Sequence, residues 1–382
     1  MSDSSRIVIV GGGVIGCAVA HRLAPDHDVV VIEREQIAGE ASGLAAGLVS
    51  PTLFYADHPA MAAHATAFFE QFDGTESFRL ARRPRLELVA PDRESDARDR
   101  AERLAGIGFP VAFREPSTVE DRYPAFEMTD FVGAVEYRDT GWVDPHSLTV
   151  ALETAASRRG VRFRTGETVT DLRVEDGRVT GVDTATDSYD ASTVVAAAGW
   201  RTPDLFGEHV TLPVQPYRTQ CLVLEPPAPL DDSFPLARVD AAGIYFRPEE
   251  TGALLVGGGH DPEPTPETAA TGIPADEAFR DRIADTLPEI LPAFQEASVI
   301  EDWAGVDGGT PDNRPIIDRP SDGPAGLVVA TGFSGLGIMT SPIAAAATRA
   351  VVTGESAPFD RRPFELDRFE SRSPDFDLQE LH

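Results

Sequence analysis

A glycine-rich turn near the start of the chain limits its fold most strongly. Gly11, Gly13 and Gly16 form a G-x-G-x-x-G pattern, which follows the apolar run 6–10 and opens an apolar helical pattern ending at Leu23. A second apolar run at 29–32 completes a βαβ unit. In such a unit the glycines let the backbone approach a pyrophosphate, and the N-terminus of the helix favours its negative charge. The pattern predicts a dinucleotide-binding α/β domain with a parallel sheet.

Glu33 supports dinucleotide binding and argues against NADP, and the segment that follows it favours FAD over NAD. Glu33 ends the second run about 20 residues after Gly13, where a carboxylate binds ribose hydroxyls and repels the ribose phosphate of NADP. The segment 39–51, G-E-A-S-G-L-A-A-G-L-V-S-P, is a ribbon of small residues that permits backbone contact with a flat ring.

A third glycine-rich segment lies near the C-terminus. The loop 331–337, T-G-F-S-G-L-G, separates an apolar run from the alanine-rich stretch 343–352, which reads as a helix with Pro342 in its first turn. The N-terminus of that helix would stabilise negative charge on the pyrimidine end of a reduced flavin.

Composition excludes several classes of partner and mechanism. The chain has 33 basic and 63 acidic residues, a formal net charge of −30, and no lysine. This charge opposes binding to nucleic acid or to an anionic membrane, and it predicts a halophilic protein that works at high salt. The absence of lysine excludes a Schiff-base nucleophile and a lysine base.

Other features predict a cytoplasmic location. Cys17 and Cys221 are too few for a disulfide framework and lack metal-ligand spacing, so we expect a reducing compartment and no metal site. The N-terminus lacks the pattern of a signal peptide. The uncharged stretch 326–348 contains glycines and Pro342 that argue against a membrane span.

The length of 382 residues and the distribution of apolar runs predict two interleaved domains. We expect a discontinuous FAD-binding domain from residues 1–82, 143–215 and 300–360, to which the runs 193–198 and 327–330 contribute further strands. A substrate domain from residues 83–142 and 216–299 would be built on a mixed sheet, with strands at 86–89, 132–137, 220–224, 244–247 and 253–256. Residues 361–382 would form a C-terminal tail.

Six motifs in order carry a resemblance along nearly the whole chain. They are G-G-G-V-I-G with Glu33, A-S-G-L-A-A-G at 41–47, G-W-V-D-P at 141–145, V-V-A-A-A-G-W at 194–200, W-A-G-V-D-G-G-T-P-D-N-R-P at 303–315, and G-F-S-G-L-G at 332–337. In these motifs the chain resembles the superfamily of D-amino-acid, glycine and sarcosine oxidases. The resemblance implies a Rossmann-like, glutathione-reductase-like FAD domain interleaved with a smaller α+β domain that covers the flavin face.

Pattern and resemblance together give a set of expected cofactor-binding residues. They are Gly11, Gly13, Val14, Ile15, Gly16, Glu33, Arg34, Ser42, Gly43, Ala46, Gly47, Leu48, Val169, Gly199, Gly335, Leu336, Gly337, Ile338 and Met339. Val169 would touch the adenine through its backbone.

Four residues differ from those that the superfamily has at matching positions, and these differences bear on substrate binding, flavin attachment and reaction with oxygen. Asp307 stands where glycine oxidases have a carboxylate-binding arginine, and Met339 stands where sarcosine oxidases have a carboxylate-binding lysine. Gly305 matches the cysteine that carries covalent flavin, so noncovalent FAD is expected. Val256 matches the lysine that activates oxygen, which favours a dehydrogenase over an oxidase.

Tyr245 and His260 match active-site positions of sarcosine oxidases, and with Arg247 they are the candidate catalytic residues. Arginine binds planar carboxylates through two hydrogen bonds, so the substrate carboxylate could be held by Arg247 or by another arginine. The other candidates are Arg218, Arg82, Arg83 and Arg85. A packing role is expected for Cys17 and a turn-ordering role for Asp312.

The resemblance implies oxidation of the C–N bond of a small primary or secondary amino acid, of the glycine, sarcosine, proline or D-amino-acid type. Hydride transfer to FAD would give an imine that hydrolyses, with dioxygen or an electron-transfer partner as the final acceptor. Two alternatives stay open: a dehydrogenase of 2-hydroxy acids or glycerol phosphate, and a flavoprotein subunit of an electron-transfer complex. Oligomeric state is also open.

Overall fold

A computed structural model describes residues 6–262 and 272–379, with the side chains of 259–262 outside the description. The strands within it are, in chain order, β1 (Ile7–Val10), β2 (Val29–Ile32), β3 (Leu48–Val49), β4 (Ala81–Arg82), β5 (Arg85–Val89), β6 (Val111–Arg114), β7 (Gly133–Tyr137), β8 (Gly141–Trp142), β9 (Arg162–Arg164), β10 (Val169–Glu175), β11 (Arg178–Thr184), β12 (Ser188–Asp190), β13 (Thr193–Ala196), β14 (Gln215–Glu225), β15 (Leu236–Val239), β16 (Ile244–Pro248), β17 (Leu254–Pro262), β18 (Ser298–Gly309), β19 (Ile316–Asp318) and β20 (Leu327–Thr331).

The α-helices of the described residues are interspersed among these strands. They are α1 (Val14–Leu23), α2 (Ala41–Leu44), α3 (Pro51–Phe54), α4 (Pro59–Phe72), α5 (Glu94–Gly106), α6 (Pro116–Arg122), α7 (Pro145–Ser157), α8 (Thr202–Phe206), α9 (Glu277–Ile290) and α10 (Gly337–Thr353). Across the described residues, none of these helices combines the length and the apolarity needed to cross a membrane.

The predicted parallel sheet is present, in the order β19-β20-β13-β1-β2-β9, with β19 as an antiparallel edge strand. Strand β1 lies between β13 and β2, so that Ile7 is paired with both Thr193 and Val29. Alternate side chains of β1 enter opposite cores, because successive residues of a strand point to opposite faces. Ile7 and Ile9 pack with α1, α4, α7 and α10, and Val8 and Val10 pack on the other side.

A small antiparallel sheet of β10, β11 and β12, which was not predicted, covers that other side. Its signal was present in the sequence. Asp176 and Gly177 join β10 to β11, and both have positive φ, 48° and 73°. Asp-Gly between two strands is a strong hairpin signal, since such two-residue turns require positive φ.

The mixed sheet of the second domain has eight strands in the order β18-β14-β17-β16-β15-β5-β7-β6, and all five predicted strand regions belong to it. One face packs on α9 through a core that includes Leu222, Phe246 and Val256. The opposite face carries Cys221 and Leu255, which pack with Ala46 of the small-residue ribbon. That second face therefore lies over the ribbon, as expected of a domain that covers a cofactor.

Strand β18 extends across the domain boundary expected at residue 300. It pairs with β14 from Ser298 to Gly309, so the W-A-G-V-D-G-G motif lies in the mixed sheet. The end of this strand still reaches the first domain, because Ser334 N donates to Gly308 O at 2.9 Å.

The C-terminal helix begins earlier than predicted. Helix α10 starts at Gly337, directly after the glycine loop, so the prediction that Pro342 lies in the first turn is wrong. An interior proline leaves the carbonyl four residues earlier without its amide donor. Here Ser341 Oγ donates to Ile338 O at 2.9 Å and supplies the missing hydrogen bond. The N-terminus of α10 consequently belongs to the glycine loop itself.

Candidate active site

The glycine loop is shaped so that only glycine fits at two of its positions. Gly11 has φ +115°, and a Cβ there would lie 2.4 Å from Ala197 O on the neighbouring strand segment. A Cβ at Gly16 would lie 2.0 Å from Gly11 O. Both glycines allow α1 to approach β1 closely, which brings the N-terminus of α1 to the carboxyl edge of the sheet.

Glu33 is fixed in a position to bind a ribose. Its two carboxylate oxygens accept hydrogen bonds from Gly12 N at 2.7 Å and Glu35 N at 2.9 Å. Each oxygen keeps a further lone pair, because an ionised carboxylate can accept about four hydrogen bonds.

A cavity of about 400 Å³ lies between the glycine loop, Glu33, the small-residue ribbon and the N-terminus of α10. Gly13 keeps space between loop and ribbon, since a Cβ there would lie 3.0 Å from Ser42 Oγ. We call this space the cofactor cavity. The predicted cofactor residues in its wall are Gly11, Gly13, Val14, Ile15, Glu33, Arg34, Ser42, Val169, Gly199, Gly335, Gly337 and Ile338.

Gly16 and Gly43 are predicted cofactor residues that lie outside the wall of this cavity. Gly43 packs behind the wall, where a Cβ would lie 2.2 Å from Ala38 O. They support the shape of the cavity rather than lining it. The residues in the wall provide an acid for a ribose, a helix N-terminus for a pyrophosphate and a second helix N-terminus for a ring, and this set fits FAD.

Replacing Glu33 by glutamine should weaken FAD binding. The ionised carboxylate forms charge-assisted hydrogen bonds that are each worth about 1.5–3 kcal/mol, so we expect a roughly 10–100-fold increase in the Kd for FAD. Titration of apoprotein with FAD, followed by flavin fluorescence, measures this change. Glu35→Gln is the matched control, because Glu35 is exposed and lies outside the cavity wall. An unchanged Kd in Glu33→Gln would contradict the assignment.

A second cavity of about 210 Å³ adjoins the cofactor cavity under the mixed sheet. Five residues line both: Ala41, Ala45, Asp307, Gly335 and Ile338. The predicted residues Ala46, Gly47, Leu48, Leu336 and Met339 line the second cavity, as do Gly335 and Ile338. A flavin ring held at the N-terminus of α10 would therefore face the second cavity, which we call the substrate cavity.

Arg85 is the most unusual residue in the wall of the substrate cavity. Its side chain is fully buried, and its Nη1 donates to Ser50 Oγ at 3.0 Å. Its Nε and Nη2 are buried without a hydrogen-bond partner among the described residues. Burial, with the nearby positive charge of Arg238, lowers the pKa of Arg85 to about 9. A buried cation with unused donors is unfavourable unless an anion joins it.

Arg247, one of the three predicted catalytic residues, uses its hydrogen-bond donors on other protein groups. Its Nε donates to Ala46 O at 2.6 Å, and its Nη1 donates to Pro248 O and pairs with Glu249 at 3.1 Å. The guanidinium lies 4.1 Å from the ring centre of Trp142. Because these contacts use most of its donors and Arg247 lies outside both cavity walls, the geometry argues against a role in binding the carboxylate.

The other predicted arginines also have partners. Arg82, Arg83 and Arg218 pair with Glu70, Asp232 and Asp276 respectively, and all three lie outside the wall of the substrate cavity. Among the five arginines that the sequence offered for a carboxylate, the geometry favours Arg85.

Tyr245 lies in the wall of the substrate cavity, whereas its neighbour Phe246 is buried in the core on the other face of the sheet. Gly257, paired with Tyr245 across the sheet, makes room for the ring, because a Cβ there would lie 2.4 Å from the phenol oxygen. Burial raises the pKa of Tyr245 well above its usual value, so it stays a neutral phenol. The side chain of His260 lies outside the described residues.

Two minor expectations can be compared with the structure. Cys17 is buried and burial raises its thiol pKa, as a packing role predicts. Asp312 accepts from Arg314 N at 3.1 Å and pairs with Arg368, so it orders its turn.

Asp307 is a site residue that sequence reasoning noticed only as a departure from the superfamily. Its Oδ1 accepts from Gly308 N at 2.7 Å and its Oδ2 accepts from Gly335 N at 3.0 Å. Among the described residues, Asp307 is the one titratable residue that lines both cavities. Burial raises the pKa of its carboxyl to about 6, against the opposing effect of the two amides.

Comparisons with known proteins agree with this geometry. Residues 6–350 match the family model described as FAD dependent oxidoreductase. The chain is 27% identical to the glycine oxidase of Geobacillus kaustophilus, over 96% of this chain and 98% of that protein. It is also 27% identical to the mitochondrial dimethylglycine dehydrogenase of Rattus norvegicus, over 88% of this chain but 41% of that protein. The solved structure of L-proline dehydrogenase from P. horikoshii superposes with a TM-score of 0.84 at 22% identity, over 93% of this chain and 95% of that one.

Proposed function

The chain belongs to the family of FAD-dependent oxidoreductases, and from that premise we propose that it oxidises the C–N bond of a small primary or secondary amino acid. FAD, when bound, accepts the hydride from the substrate carbon. The imine product then hydrolyses in water.

The buried Arg85 is the observation that carries this proposal. Arg85 lines a cavity that adjoins the cofactor cavity, and two of its nitrogens are buried without a hydrogen-bond partner among the described residues. A carboxylate can accept two hydrogen bonds from a guanidinium, and such pairs are strongest where water is excluded. Glu87 and Asp240 act on Arg85 only through their charge, and a substrate carboxylate would provide the hydrogen-bonded anion that Arg85 lacks among the described residues.

The rest of the substrate cavity favours a small substrate. The apolar side chains of Phe54, Leu336 and Met339 line it, and its volume is about 210 Å³. These apolar walls leave space for a short side chain. Tyr245 supplies a neutral hydroxyl that can donate a hydrogen bond to a carboxylate.

Relatives support the same chemistry without identifying the substrate. A glycine oxidase and a dimethylglycine dehydrogenase both act, by their names, on amino acids with a small or absent side chain. Noncovalent FAD is consistent with Gly305 in the cavity wall, since glycine offers no nucleophile for a covalent flavin bond.

The test is the anaerobic visible spectrum of the FAD-loaded protein in molar KCl, recorded as substrates are added singly. High salt is used because a net charge of −30 is typical of a protein adapted to high salt. We expect glycine, sarcosine, proline, dimethylglycine or a D-amino acid to bleach the flavin bands. Dimethylamine is the matched control for sarcosine, because it has the secondary amine without the carboxylate that Arg85 would bind.

Each alternative function has its own outcome in this experiment. Bleaching by lactate or glycerol 3-phosphate, with none by amino acids, would favour a hydroxy-acid or glycerol-phosphate dehydrogenase. Retained FAD that no small molecule reduces would favour a subunit of an electron-transfer complex. Readmission of air after bleaching distinguishes an oxidase from a dehydrogenase, because an oxidase regains its flavin bands at once.

A further inference from the structure

Asp307 occupies a position that neither cofactor binding nor carboxylate binding explains. It lines both cavities. A substrate that reacts with a flavin held in the cofactor cavity would have to place its reacting atom near this boundary. Its contacts in the structure are two backbone amides, one to each oxygen, and no cationic side chain pairs with it within the described residues. Each oxygen can accept a further hydrogen bond.

We propose that Asp307 binds the ammonium group of the substrate and accepts a proton from it, while Arg85 binds the carboxylate. The inference rests on the proposed function and names its substrate form, an amino-acid zwitterion. It also gives a catalytic role to a residue whose charge is opposite to that of the arginine expected at this position.

The proton transfer is balanced by the steps that follow it. One N–H bond of the ammonium breaks and an O–H bond forms on Asp307, which leaves a neutral amine. With FAD bound as the hydride acceptor, the amine lone pair would form the C=N bond as the substrate C–H bond breaks. Only the neutral amine has this lone pair, so oxidation requires prior loss of the proton.

The other titratable groups of the substrate cavity are poor acceptors of this proton. Asp240 is paired with Arg238. Burial raises the pKa of Tyr217 and Tyr245 well above the usual value, and it raises the pKa of Cys221 to about 12, so all three stay protonated. Asp307, with a pKa of about 6, is a carboxylate at neutral pH.

The charges around Asp307 favour transfer of the proton. Tyr217 of β14 is paired with it across the sheet, and the same cavity is lined by Arg85, Arg238, Asp240, Tyr245 and Arg282. The charged residues of the cofactor cavity are Glu33, Arg34, Glu40, Glu167, Arg201 and Asp204. Asp240 offsets the charge of Arg238, which leaves Arg85 and Arg282 as the guanidinium groups of this cavity that lower the pKa of an ammonium bound there, because like charges disfavour its charged form.

The experiment measures the rate of anaerobic flavin bleaching by the substrate as a function of pH, for wild type and Asp307→Asn. In wild type the rate should fall as the pH drops below about 6, because protonated Asp307 can no longer accept a proton. In Asp307→Asn the rate at neutral pH should fall roughly 100–1,000-fold. That variant should recover by about tenfold per pH unit as the pH rises, since free amine then enters from solution.

Two further variants and a binding measurement separate this role from a structural one. Asp240→Asn, in the same cavity, should keep the fall in rate below pH 6, and Asp307→Glu should restore part of the rate at neutral pH. Propionate, which has no amine, should perturb the flavin spectrum of Asp307→Asn with a Kd equal to or lower than that of wild type. We therefore expect Asp307→Asn to keep its affinity for a carboxylate while it loses the proton acceptor.

The results that overturn the proposal are equally distinct. Bleaching of wild type without a fall in rate below pH 6 overturns it even where Asp307→Asn does not fold. An Asp307→Asn variant with the wild-type pH profile overturns the role of Asp307 alone. The same conclusion follows if the fall in rate below pH 6 disappears in His260→Gln and not in Asp307→Asn. A wild-type protein that no amino acid bleaches overturns both this inference and the proposed function.

Discussion

Replacement of Arg85 by methionine should raise the Kd for the amino-acid substrate by roughly 100–1,000-fold and leave FAD bound. Removal of one partner from a buried charge pair typically costs about 3–5 kcal/mol, and the guanidinium of Arg85 is fully buried with Nε and Nη2 unused. The same loss should appear for propionate, because both ligands would bind through a carboxylate. The concentration dependence of anaerobic bleaching and spectral titration with propionate measure the two constants.

The same substitution should not weaken the protein. Without substrate, Arg85 is a buried cation whose hydrogen bond goes to the neutral Ser50, and an apolar residue of similar length removes that unfavourable burial. We expect the free energy of unfolding to stay equal or to rise by about 1 kcal/mol. Substrate binding that falls while stability does not is typical of a ligand-binding residue rather than a structural one.

Arg82→Met is the matched control for this experiment. Arg82 lies three residues away, and half of its side chain is exposed where it pairs with Glu70. Surface ion pairs contribute about 0–1 kcal/mol, so neither substrate affinity nor FAD affinity should change. Equal substrate affinity in Arg85→Met and Arg82→Met would show that Arg85 does not bind the carboxylate.

The cofactor site could be predicted from the sequence because its signals are local. The turn at Gly11, Gly13 and Gly16 needs glycine for reasons that a few neighbouring residues set, and Glu33 follows at a spacing that the βαβ unit determines. The glycine loop before α10 could also be predicted, because its signal lies within a few neighbouring residues. The start of that helix was misplaced because Pro342 normally marks a first turn, and the compensating bond from Ser341 cannot be read from a pattern.

The proposed substrate site could not be predicted to the same degree, because pairing between distant strands brings its residues together. Arg85 on β5, Tyr245 on β16 and Asp307 on β18 are brought together by the order of the strands in the eight-stranded sheet. The sequence offered five arginines for one role. Both Arg85 and Arg247 are buried. Arg85 differs in its place in the cavity wall and in two nitrogens that lack a hydrogen-bond partner among the described residues, whereas Arg247 uses its donors on Ala46, Pro248 and Glu249.

Replacement of Gly16 by alanine should abolish tight FAD binding, although it adds one methyl group far from the substrate cavity. The new Cβ would lie 2.0 Å from Gly11 O, so the glycine loop and α1 must move apart. Overpacking of this kind destabilises a protein by about 1–3 kcal/mol. Movement of the loop also displaces the N-terminus of α1 from the pyrophosphate, and we expect the Kd for FAD to rise roughly 100-fold or more.

A second glycine-to-alanine change separates this local effect from a general effect of alanine. Gly106 ends α5, and a Cβ there would have no atom within 4 Å. Gly106→Ala should therefore leave FAD affinity unchanged and stabilise the protein by up to about 1 kcal/mol, because alanine favours a helix and restricts the unfolded chain. FAD titration and urea unfolding of both variants test the pair. Equal FAD affinity in Gly16→Ala and Gly106→Ala would show that close packing of α1 against β1 does not position the phosphate-binding amides. The role given to Gly11 and Gly16 in shaping the cofactor cavity would then be wrong.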